Sequence, residues 1–317
     1  MRSRVTLVLA VVAVLLGGGL LVPAAYARLA GDDASGGGGG GSVAVPAPIA
    51  PPPPTLAAGP VTVDFKGEFF SWALMDRATG QISGSKNMAS TSSTESMIKA
   101  WFAADYLRRL DGKALMEERK KQIIAAIRDS DDDAANALYA AVGRAATITR
   151  MVDICELTDT KPGNVPGYVG WWSFTRMSPR DAVRLGDCIA DGTAAGPKWT
   201  KILLNEMSKV RGSTAAKDQK ARSGGGRWGI IDGLPQSILD QGPVGMKNGW
   251  TPLNYDGNWH VNCLAVNDKW SLAVMLRYPQ KNGLAYGAQV CASVASQLVT
   301  PQPGAALKVP QQPVGKL

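Results

Sequence analysis

The sequence predicts an α+β fold in which helices cover one antiparallel sheet and a second lobe is entirely helical. Alternation typical of strands occurs near Phe69–Met75 and returns in His260–Val266 and Trp270–Leu276. Helical spacing of apolar residues dominates from about residue 94 to residue 210. Because the strands come from both ends of the folding region and the helices from its middle, we expect a single sheet with helices packed against it.

Composition divides the chain into four segments. Residues 1–27 contain two arginines, the apolar run Val5–Val22 and small residues at their end, which is the layout of a secretory signal peptide or of an uncleaved anchor. Residues 28–60 are rich in Gly and Pro and predict a disordered linker, and residues 301–317 predict a disordered tail. Residues 61–300 remain as one large domain. We expect this domain to be exported, whether the N-terminal segment is a cleaved signal peptide or an uncleaved anchor.

The first predicted helix places a serine and a lysine on one face. The helix-capping residues Thr91–Thr94 precede a run that ends at Gly112, which predicts a helix from about residue 94 to 110. Positions three apart share a helix face, so the Lys99 amine can lie beside the Ser96 hydroxyl. The helix N-terminus would direct backbone N–H groups at whatever Ser96 attacks. The alternative is an ordinary first-turn serine with a solvent-facing lysine.

Spacing alone is weak support for each motif in this chain. A second Ser-x-x-Lys occurs at Ser83 and Lys86, where neighbouring glycines favour a turn. Ser130–Asp131–Asp132 precedes an alanine-rich helix and is equally well interpreted as the N-cap and acidic first turn of that helix. Lys247–Asn248–Gly249 precedes a run of strands, and Asn248–Gly249 is also typical of a hairpin turn.

Composition argues against two common hydrolase mechanisms. The single histidine, His260, occurs without a Gly-x-Ser-x-Gly motif, so we do not expect a Ser-His-Asp triad on an α/β-hydrolase sheet. One histidine and four cysteines without a Cys-x-x-Cys pair do not form a convincing zinc site. We therefore expect no metal and no cofactor, and we interpret His260 as a polar residue at the start of a strand.

Taken together and in this order, Ser96-x-x-Lys99, Ser130–Asp131–Asp132 and Lys247–Asn248–Gly249 resemble the three motifs of the penicillin-recognising serine enzymes. Their order and separation resemble class A β-lactamases most closely, and the similarity extends from about Phe69 to Leu298. The resemblance implies a β-lactamase/transpeptidase-like fold. Two further segments resemble those of secreted actinobacterial members, Trp172–Arg176 and Arg227–Gly229.

The resemblance also implies a role for each motif residue. Ser96 would be the nucleophile, Lys99 the base that activates it, and Ser130 the relay that delivers a proton to the leaving nitrogen. Lys247 would attract the carboxylate of a β-lactam or of a D-alanyl-D-alanine terminus and would lower the pKa of Lys99. The backbone N–H groups of Ser96 and Trp250 would form the oxyanion hole. The implied substrate-binding residues are Asp132, Lys247, Asn248, Gly249 and Trp250.

Two positions depart from the class A pattern. The second motif ends in Asp132 where the family usually has Asn, and an ionised carboxylate cannot donate a hydrogen bond. It would pair with Lys99 or repel a carboxylate substrate. No Glu occurs between Glu156 and Glu206, where the family's Glu-x-x-Leu-Asn loop supplies the deacylation base, and Asp159 is a substitute base or a turn residue. We therefore expect acylation to be easier than deacylation.

Three functions remain open on the sequence. The first is an exported β-lactamase-like serine hydrolase that forms an acyl-enzyme at Ser96 with β-lactams. The second is a D,D-carboxypeptidase or transpeptidase acting on peptidoglycan stem peptides, which the missing loop glutamate favours. The third is a non-catalytic cell-envelope binding protein that retains the fold, which Asp132 favours.

The cysteines are even in number in a chain expected to be exported, and they permit three pairings. We favour the pairs Cys155–Cys188 and Cys263–Cys291, because the second would join a sheet strand to the last helix.

The charge of the chain bears on its partners. A net charge of +8 favours attraction to anionic cell-envelope polymers. The basic segment Arg211–Arg227 is interpreted as a solvated loop, since nothing in the sequence resembles a nucleic-acid-binding motif. We interpret Trp171 and Trp172 as packing residues, and we expect a monomer.

Overall fold

The computed structural model describes residues 61–220 and 222–299. The predicted signal peptide or anchor, the linker and the tail lie outside these residues. Within the described ranges, no helix has the length and apolar character needed to cross a membrane.

The strands form one large sheet and one short ladder. Six strands make an antiparallel sheet in the order β2, β1, β8, β7, with β5 and β6 both paired to the outer side of β7, and β3 pairs separately with β4. The predicted sheet built from both ends of the folding region is confirmed. The strand bounds are β1 Phe69–Asp76, β2 Ile82–Gly84, β3 Ser92–Ser93, β4 Arg176–Met177, β5 Gly245–Met246, β6 Gly249–Leu253, β7 Asn258–Val266 and β8 Trp270–Pro279.

The helices lie on both faces of this sheet, and most of them come from the middle of the chain, as predicted. The helix bounds are α1 Lys99–Arg108, α2 Glu117–Arg128, α3 Asp132–Ala141, α4 Ala145–Ile154, α5 Pro179–Ala190, α6 Pro197–Met207, α7 Ile230–Gly233, α8 Gln236–Leu239 and α9 Gly283–Leu298. A 3₁₀ turn, Glu95–Ile98, leads directly into α1.

Alternation along the central strand β8 explains the two hydrophobic cores. Ala273 and Met275 belong to a core shared with α1 and the other helices of the helical lobe. Leu272 and Val274 point the other way and belong to a core shared with α9. A sheet covered on both faces is therefore built from strands that are apolar on both sides.

The third motif lies within an interrupted edge strand. Met246 of β5 pairs with Ala265, and Gly249 of β6 pairs with Asn262. The two pairs are three residues apart on the edge strand and three residues apart on β7, so the segment between β5 and β6 contains no extra residue. The hairpin-turn alternative for this motif is therefore wrong, because tertiary pairing with β7 keeps the segment extended. The turn that joins β6 to β7 comes later, at residues 254–257.

Two disulfides match the predicted pairing. Cys155–Cys188 joins the end of α4 to α5, and Cys263–Cys291 joins β7 to α9. The paired cysteines are 33 and 28 residues apart. Closing loops of this length stabilises a fold by about 3–4 kcal/mol in the chain-entropy account.

Helix α1 is the central element of the helical lobe. Its residues from Lys99 to Asp105 are all buried, and the Trp101 Nε1–H donates to Thr147 Oγ1 of α4 over 2.8 Å. A helix that is buried on all sides has little freedom to move. The 3₁₀ turn that precedes α1 is therefore anchored to the core, and so is Ser96 within that turn.

Candidate active site

A cleft of about 880 Å³ lies beside the edge strand β6. It is lined by β6, by α3 and by two loops, residues 168–174 and 219–224. Four residues of the predicted site line this cleft, namely Ser96, Ser130, Asp132 and Trp250. The structure therefore brings the three sequence motifs to one place.

Ser96 is presented to the cleft by a tight turn. Its neighbours Glu95 and Met97 are buried, whereas Ser96 is partly exposed. Glu95 has a positive φ of 46°, which is uncommon for a residue with a side chain and marks a sharp change of direction. The predicted capping residue Thr94 makes no side-chain cap; instead its backbone N–H donates to Thr175 O over 2.9 Å.

Lys99 is fully buried and points towards the second motif. Its Nζ donates to Ser130 O and to Asp132 Oδ1, each over 2.6 Å, and lies 3.4 Å from Ser130 Oγ. Within the described residues it makes no hydrogen bond to Ser96, so the predicted contact is replaced in this conformation by the ion pair with Asp132. Burial lowers the pKa of Lys99, against the opposing effect of the Asp132 carboxylate.

Ser130 lies where the two buried amines meet. It has a positive φ of 53° just before α3, and its Oγ accepts a hydrogen bond from Lys247 Nζ over 2.9 Å. The cap of α3 is Asp131, whose Oδ1 accepts from the Ala134 N–H over 2.7 Å. The N-cap alternative therefore explains Asp131 and leaves the Ser130 hydroxyl free for another use.

Lys247 has no exposed surface and reaches the cleft only through Ser130. Its Nζ also donates to Asn248 O over 3.1 Å. Burial, together with the charge of Lys99, lowers the pKa of Lys247 well below its ordinary value. Two amines whose pKa values are both lowered thus share one serine hydroxyl.

The residues that follow Lys247 have different orientations. The Asn248 amide donates to Gly226 O and Trp228 O over 2.9 and 2.8 Å, so its side chain is directed away from the cleft and binding there does not involve this amide. At Gly249 an added Cβ would lie 2.5 Å from Thr94 O, so β6 and the Ser96 turn are in backbone contact. Trp250 lines the cleft.

The loop before α5 forms an aromatic wall. Trp171 is 60% exposed and lines the cleft, so its interpretation as a packing residue is wrong. Trp172 lies deeper, where its Nε1–H donates to Asn136 Oδ1 over 2.8 Å and its ring centroid is 5.3 Å from Lys99 Nζ. An indole therefore borders the buried lysine on the side of this loop.

Asp159, the candidate replacement for the loop glutamate, is engaged elsewhere. Its carboxylate accepts from Ser178 Oγ over 2.7 Å and forms an ion pair with Arg180 at 2.7 Å. Although burial raises its pKa, the hydrogen bonds from Arg180 and Ser178 hold the pKa of Asp159 below its ordinary value. Asp159 does not line the cleft. This carboxylate stabilises the start of α5 and is not placed as a base.

The basic segment contributes to the rim of the cleft. Lys220 and Arg222 line it, and Arg222 forms an ion pair with Asp133 at the start of α3. The interpretation as a purely solvated loop is therefore incomplete. Cationic side chains at the mouth favour anionic ligands.

A buried chain of polar groups lies behind Ser96, and the sequence interpretation missed it. Ser93 Oγ is 2.6 Å from both Glu95 Oε1 and His260 Nδ1, and His260 Nε2 is 2.7 Å from Asp256 Oδ2. Thr251 Oγ1 donates to Glu95 Oε2 over 2.7 Å. His260 is thus part of a network and not a solitary polar residue. The signals in the sequence were an acid directly before Ser96 and an Asp four residues before the single His.

Comparison with known proteins bears on the fold. No protein-family model matches the chain, and no curated protein matches it. Solved structures do match, and those described here are all β-lactamases. One from Xanthomonas campestris pv. campestris is 18% identical, covers 73% of this chain and 91% of its own, and has a TM-score of 0.55. One from Desulfarculus baarsii is 16% identical, with coverage of 73% and 90% and a TM-score of 0.53.

A third match is a variant of the last common ancestor of Gram-negative class A β-lactamases, bound to the transition-state analogue 5(6)-nitrobenzotriazole. It is 20% identical, covers 73% of this chain and 91% of its own, and has a TM-score of 0.53. At such identities the likeness concerns the fold, and it agrees with the element order and sheet topology above. The chain therefore has the fold of the class A β-lactamase-like serine enzymes.

Proposed function

We propose that this chain is an extracytoplasmic serine hydrolase that forms an acyl-enzyme at Ser96 with β-lactams. The observation that supports this most is the coupled arrangement at the cleft: Ser96 exposed on a rigid turn, and Ser130 Oγ accepting from the buried Lys247. A buried amine is costly unless it has a use or a partner. Two of them at one hydroxyl favour proton transfer over a purely structural role.

Lys99 is proposed as the base. An amine can accept a proton near neutral pH only if its pKa is lowered, and burial acts on Lys99 in that direction. To reach Ser96 the amine would have to leave Asp132 by rotation about its side-chain bonds. Ser96 Oγ would then attack the lactam carbonyl carbon while its proton passes to Lys99.

Ser130 is proposed as the proton donor to the leaving nitrogen. Because its Oγ accepts a hydrogen bond from Lys247, its own hydrogen is available to a group in the cleft. As the carbonyl C–N bond breaks, this hydrogen would pass to the nitrogen, and Ser130 would regain one from a neighbouring lysine. The backbone N–H groups of Ser96 and Trp250 would stabilise the oxyanion, each by about 3 kcal/mol.

A second candidate function is that of a D,D-carboxypeptidase or transpeptidase. The position of Asp159 favours it, because that carboxylate is bound to Arg180 and Ser178 and cannot activate water at the acyl-enzyme. The indole of Trp172 beside Lys99 further excludes water from that side. Acylation without rapid hydrolysis is the behaviour expected of a penicillin-binding peptidase.

A third candidate is a non-catalytic envelope protein, and the ion pair between Lys99 and Asp132 favours it. At 2.6 Å this pair keeps the proposed base directed away from Ser96. A chain that had lost catalysis could retain such a pair for stability alone.

The disulfides support the proposed location. Both bridges need an oxidising compartment to form and persist, which is outside the cytoplasm in most cells.

Labelling experiments separate the three candidates. The domain would be incubated with a fluorescent penicillin, with nitrocefin, and with a peptide ending in D-alanyl-D-alanine. We expect covalent label with slow nitrocefin turnover. Steady turnover of nitrocefin would identify a β-lactamase, and stable label with release of D-alanine would identify the peptidase. Absence of label and of turnover would leave only the non-catalytic protein.

Two serine variants control this experiment. Ser96→Ala removes the proposed nucleophile and is expected to abolish labelling. Ser83→Ala removes the serine of the other Ser-x-x-Lys spacing, which lies on β2 and does not line the cleft, and should label like the parent protein. Equal labelling of the parent and the Ser96 variant would contradict the proposal.

A further inference from the structure

The buried polar chain behind Ser96 has three hydrogen-bond contacts in a row. A neutral serine and a neutral histidine supply hydrogens for only two of them. Three consecutive contacts join Asp256 to His260, His260 to Ser93, and Ser93 to Glu95, at 2.7, 2.6 and 2.6 Å. Each contact needs one hydrogen. The Ser93 hydroxyl and a neutral imidazole supply two, and an ionised Asp256 supplies none.

With Asp256 as the acceptor from His260, the third hydrogen resides at one of two places. It is either on the Glu95 carboxyl, which then donates to Ser93, or it is the second ring hydrogen of His260. In both cases the chain contains one proton beyond those of a neutral serine and a neutral histidine. Transfer of the Glu95 hydrogen to Ser93 Oγ, together with transfer of the Ser93 hydrogen to His260 Nδ1, would move it from one end to the other.

The charges around Glu95 favour the proton there. The carboxyl is completely enclosed, and the negative charges of Asp132 and Asp256 both act against its ionisation. The hydroxyls of Ser93 and Thr251 act in the opposite direction, because they can donate to a carboxylate. Burial is the largest of these effects and raises the pKa of Glu95 to about 7.

The charges around His260 disfavour a second ring hydrogen. Its side chain has no exposed surface, and the guanidinium groups of Arg277 and Arg176 both oppose a positive ring. The ring of Tyr255 lies 6.1 Å from its own, centroid to centroid. Burial outweighs the favourable effect of Asp256 and lowers the pKa of His260.

We propose that Asp256, His260, Ser93 and Glu95 form a buried proton relay whose exchangeable proton resides on Glu95 and keeps the Ser96 turn attached to strand β7. Glu95 directly precedes Ser96, and His260 of β7 is paired with Thr251 of β6, the residue that follows Trp250. When the proton is lost, the single Ser93 hydrogen can serve Glu95 or His260 but not both. One contact then opens, and the turn and the strand lose part of their connection.

The effect on catalysis rests on the proposed acylation at Ser96, whereas the proton itself does not. Glu95 and His260 are positioning residues in this proposal, since they act through the turn and touch no reacting atom. The single histidine of the chain makes the proton directly observable. Histidine-selective ¹⁵N labelling gives NMR signals from His260 alone, so protonation state and tautomer can be measured without any substrate.

In the parent protein at pH 6 we expect a neutral ring with the hydrogen on Nε2. As the pH rises, Glu95 loses its proton and the Ser93 hydroxyl donates to Glu95 in place of His260. The Nδ1 signal should therefore change with a midpoint near pH 7 while the ring stays neutral. In Glu95→Gln the amide donates to Ser93 at every pH, so the change near pH 7 should disappear. Ser93→Ala interrupts the chain and should remove it as well.

Either of two NMR results would overturn the relay. One is a positively charged ring at pH 6 in the parent protein, which would place the proton on His260. The other is a change near pH 7 that persists in both variants, which would show that His260 does not respond to Glu95.

A second measurement tests the coupling to the site. The rate of labelling by a fluorescent penicillin would be measured from pH 6 to pH 8 for the parent, for Glu95→Gln and for Ser93→Ala, and each variant would be compared with the parent. Ser93→Ala is needed because the charge of Glu95 raises the pKa of Lys99, and this variant keeps that charge while it interrupts the relay. We expect the ratio of parent to variant to fall about fivefold over this range, which is the effect of losing one hydrogen bond of typical strength. A constant ratio would overturn the coupling. A parent protein that is not labelled would contradict the proposed function, while the NMR result would still decide the relay.

Discussion

The two sides of the Ser96 turn are chemically opposite. The side towards Ser130, called the cleft side below, has two buried lysines, Lys99 and Lys247. The side towards the sheet has the buried acid Glu95, which also borders the cleft, with His260 behind it. Burial lowers the pKa of both lysines and raises that of Glu95 to about 7. Desolvation thus moves bases and acids in opposite directions towards neutrality. One enclosed turn can therefore place groups of both kinds near the pH at which they exchange protons.

The largest expected effect concerns the cleft side alone. Lys99→Ala should reduce the rate of penicillin labelling by about 10²–10⁴-fold, because the proposed base is lost. The pH-dependent change of the His260 ¹⁵N signals should persist, since the amine does not contact the relay, but its midpoint should shift because the charges of Lys99 and Glu95 interact. The matched control is Lys86→Ala, the lysine of the other Ser-x-x-Lys spacing. Comparable losses in both variants would show that Lys99 is not the base.

The next effect concerns the buried side and is measured as stability. The ordinary pKa of Glu95 is 4.5 and its pKa in the fold is about 7. A carboxyl with a raised pKa stabilises the fold fully below its unfolded pKa, and this contribution is lost as the pH rises through 7. From pH 4.5 to 8, the free energy of unfolding of the parent should therefore fall by roughly 3 kcal/mol relative to Glu95→Gln.

Urea unfolding at a series of pH values would measure this difference, and the opposing effect of His260 cancels because both proteins contain it. Glu68→Gln, at an exposed position, is the control and should follow the parent. A difference that does not depend on pH would mean that Glu95 is ionised throughout the range.

A smaller effect is expected where the acid lies on the cleft side. Asp132→Asn removes the ion pair that directs Lys99 away from Ser96, and it removes a negative charge from the wall of the cleft. We expect labelling to be about tenfold faster, corresponding to about 1.4 kcal/mol in the barrier. Asp133→Asn, one residue further on and paired with Arg222, should leave the rate unchanged. Slower labelling of Asp132→Asn would mean that this carboxylate takes part in the reaction.

The smallest effect concerns the aromatic wall. Trp171→Ala removes an indole that is 60% exposed on the cleft. It should weaken binding of a β-lactam with an aromatic side chain by about threefold, while a β-lactam without a ring should bind equally well to both proteins. Equal affinities for the aromatic compound would place this indole outside the binding surface.

The sequence predicted the elements and the motif positions because these depend on local spacing. The helix that follows Ser96, the sheet built from both ends and the two disulfides all appear in the structure. The sequence raised two partners for the Lys99 amine, Ser96 and Asp132, and local spacing could not decide between them. In the structure the amine pairs with Asp132. Tertiary pairing likewise keeps Asn248–Gly249 extended, although the dipeptide is typical of turns.

The buried chain escaped prediction for a similar reason. Its members come from β3, from the Ser96 turn and from the β6–β7 hairpin, and only the register of the sheet brings them together. The two local signals, an acid directly before Ser96 and an Asp four residues before the single histidine, do not show that these residues are buried together. Charged residues far apart along the chain become informative only once it is known that they are buried together.

The close backbone contact at Gly249 allows the site to be disturbed by a single added methyl group. A methyl group there would lie 2.5 Å from Thr94 O and 2.6 Å from Met97 N, so it would push β6 away from the nucleophile without altering one polar side chain. Gly249→Ala should therefore yield an inactive variant, which keeps the native surface and charge but is not acylated at Ser96. If the gene for this inactive variant replaced the normal gene, it would show which effects on the cell come from the proposed reaction and which come from the presence of the protein.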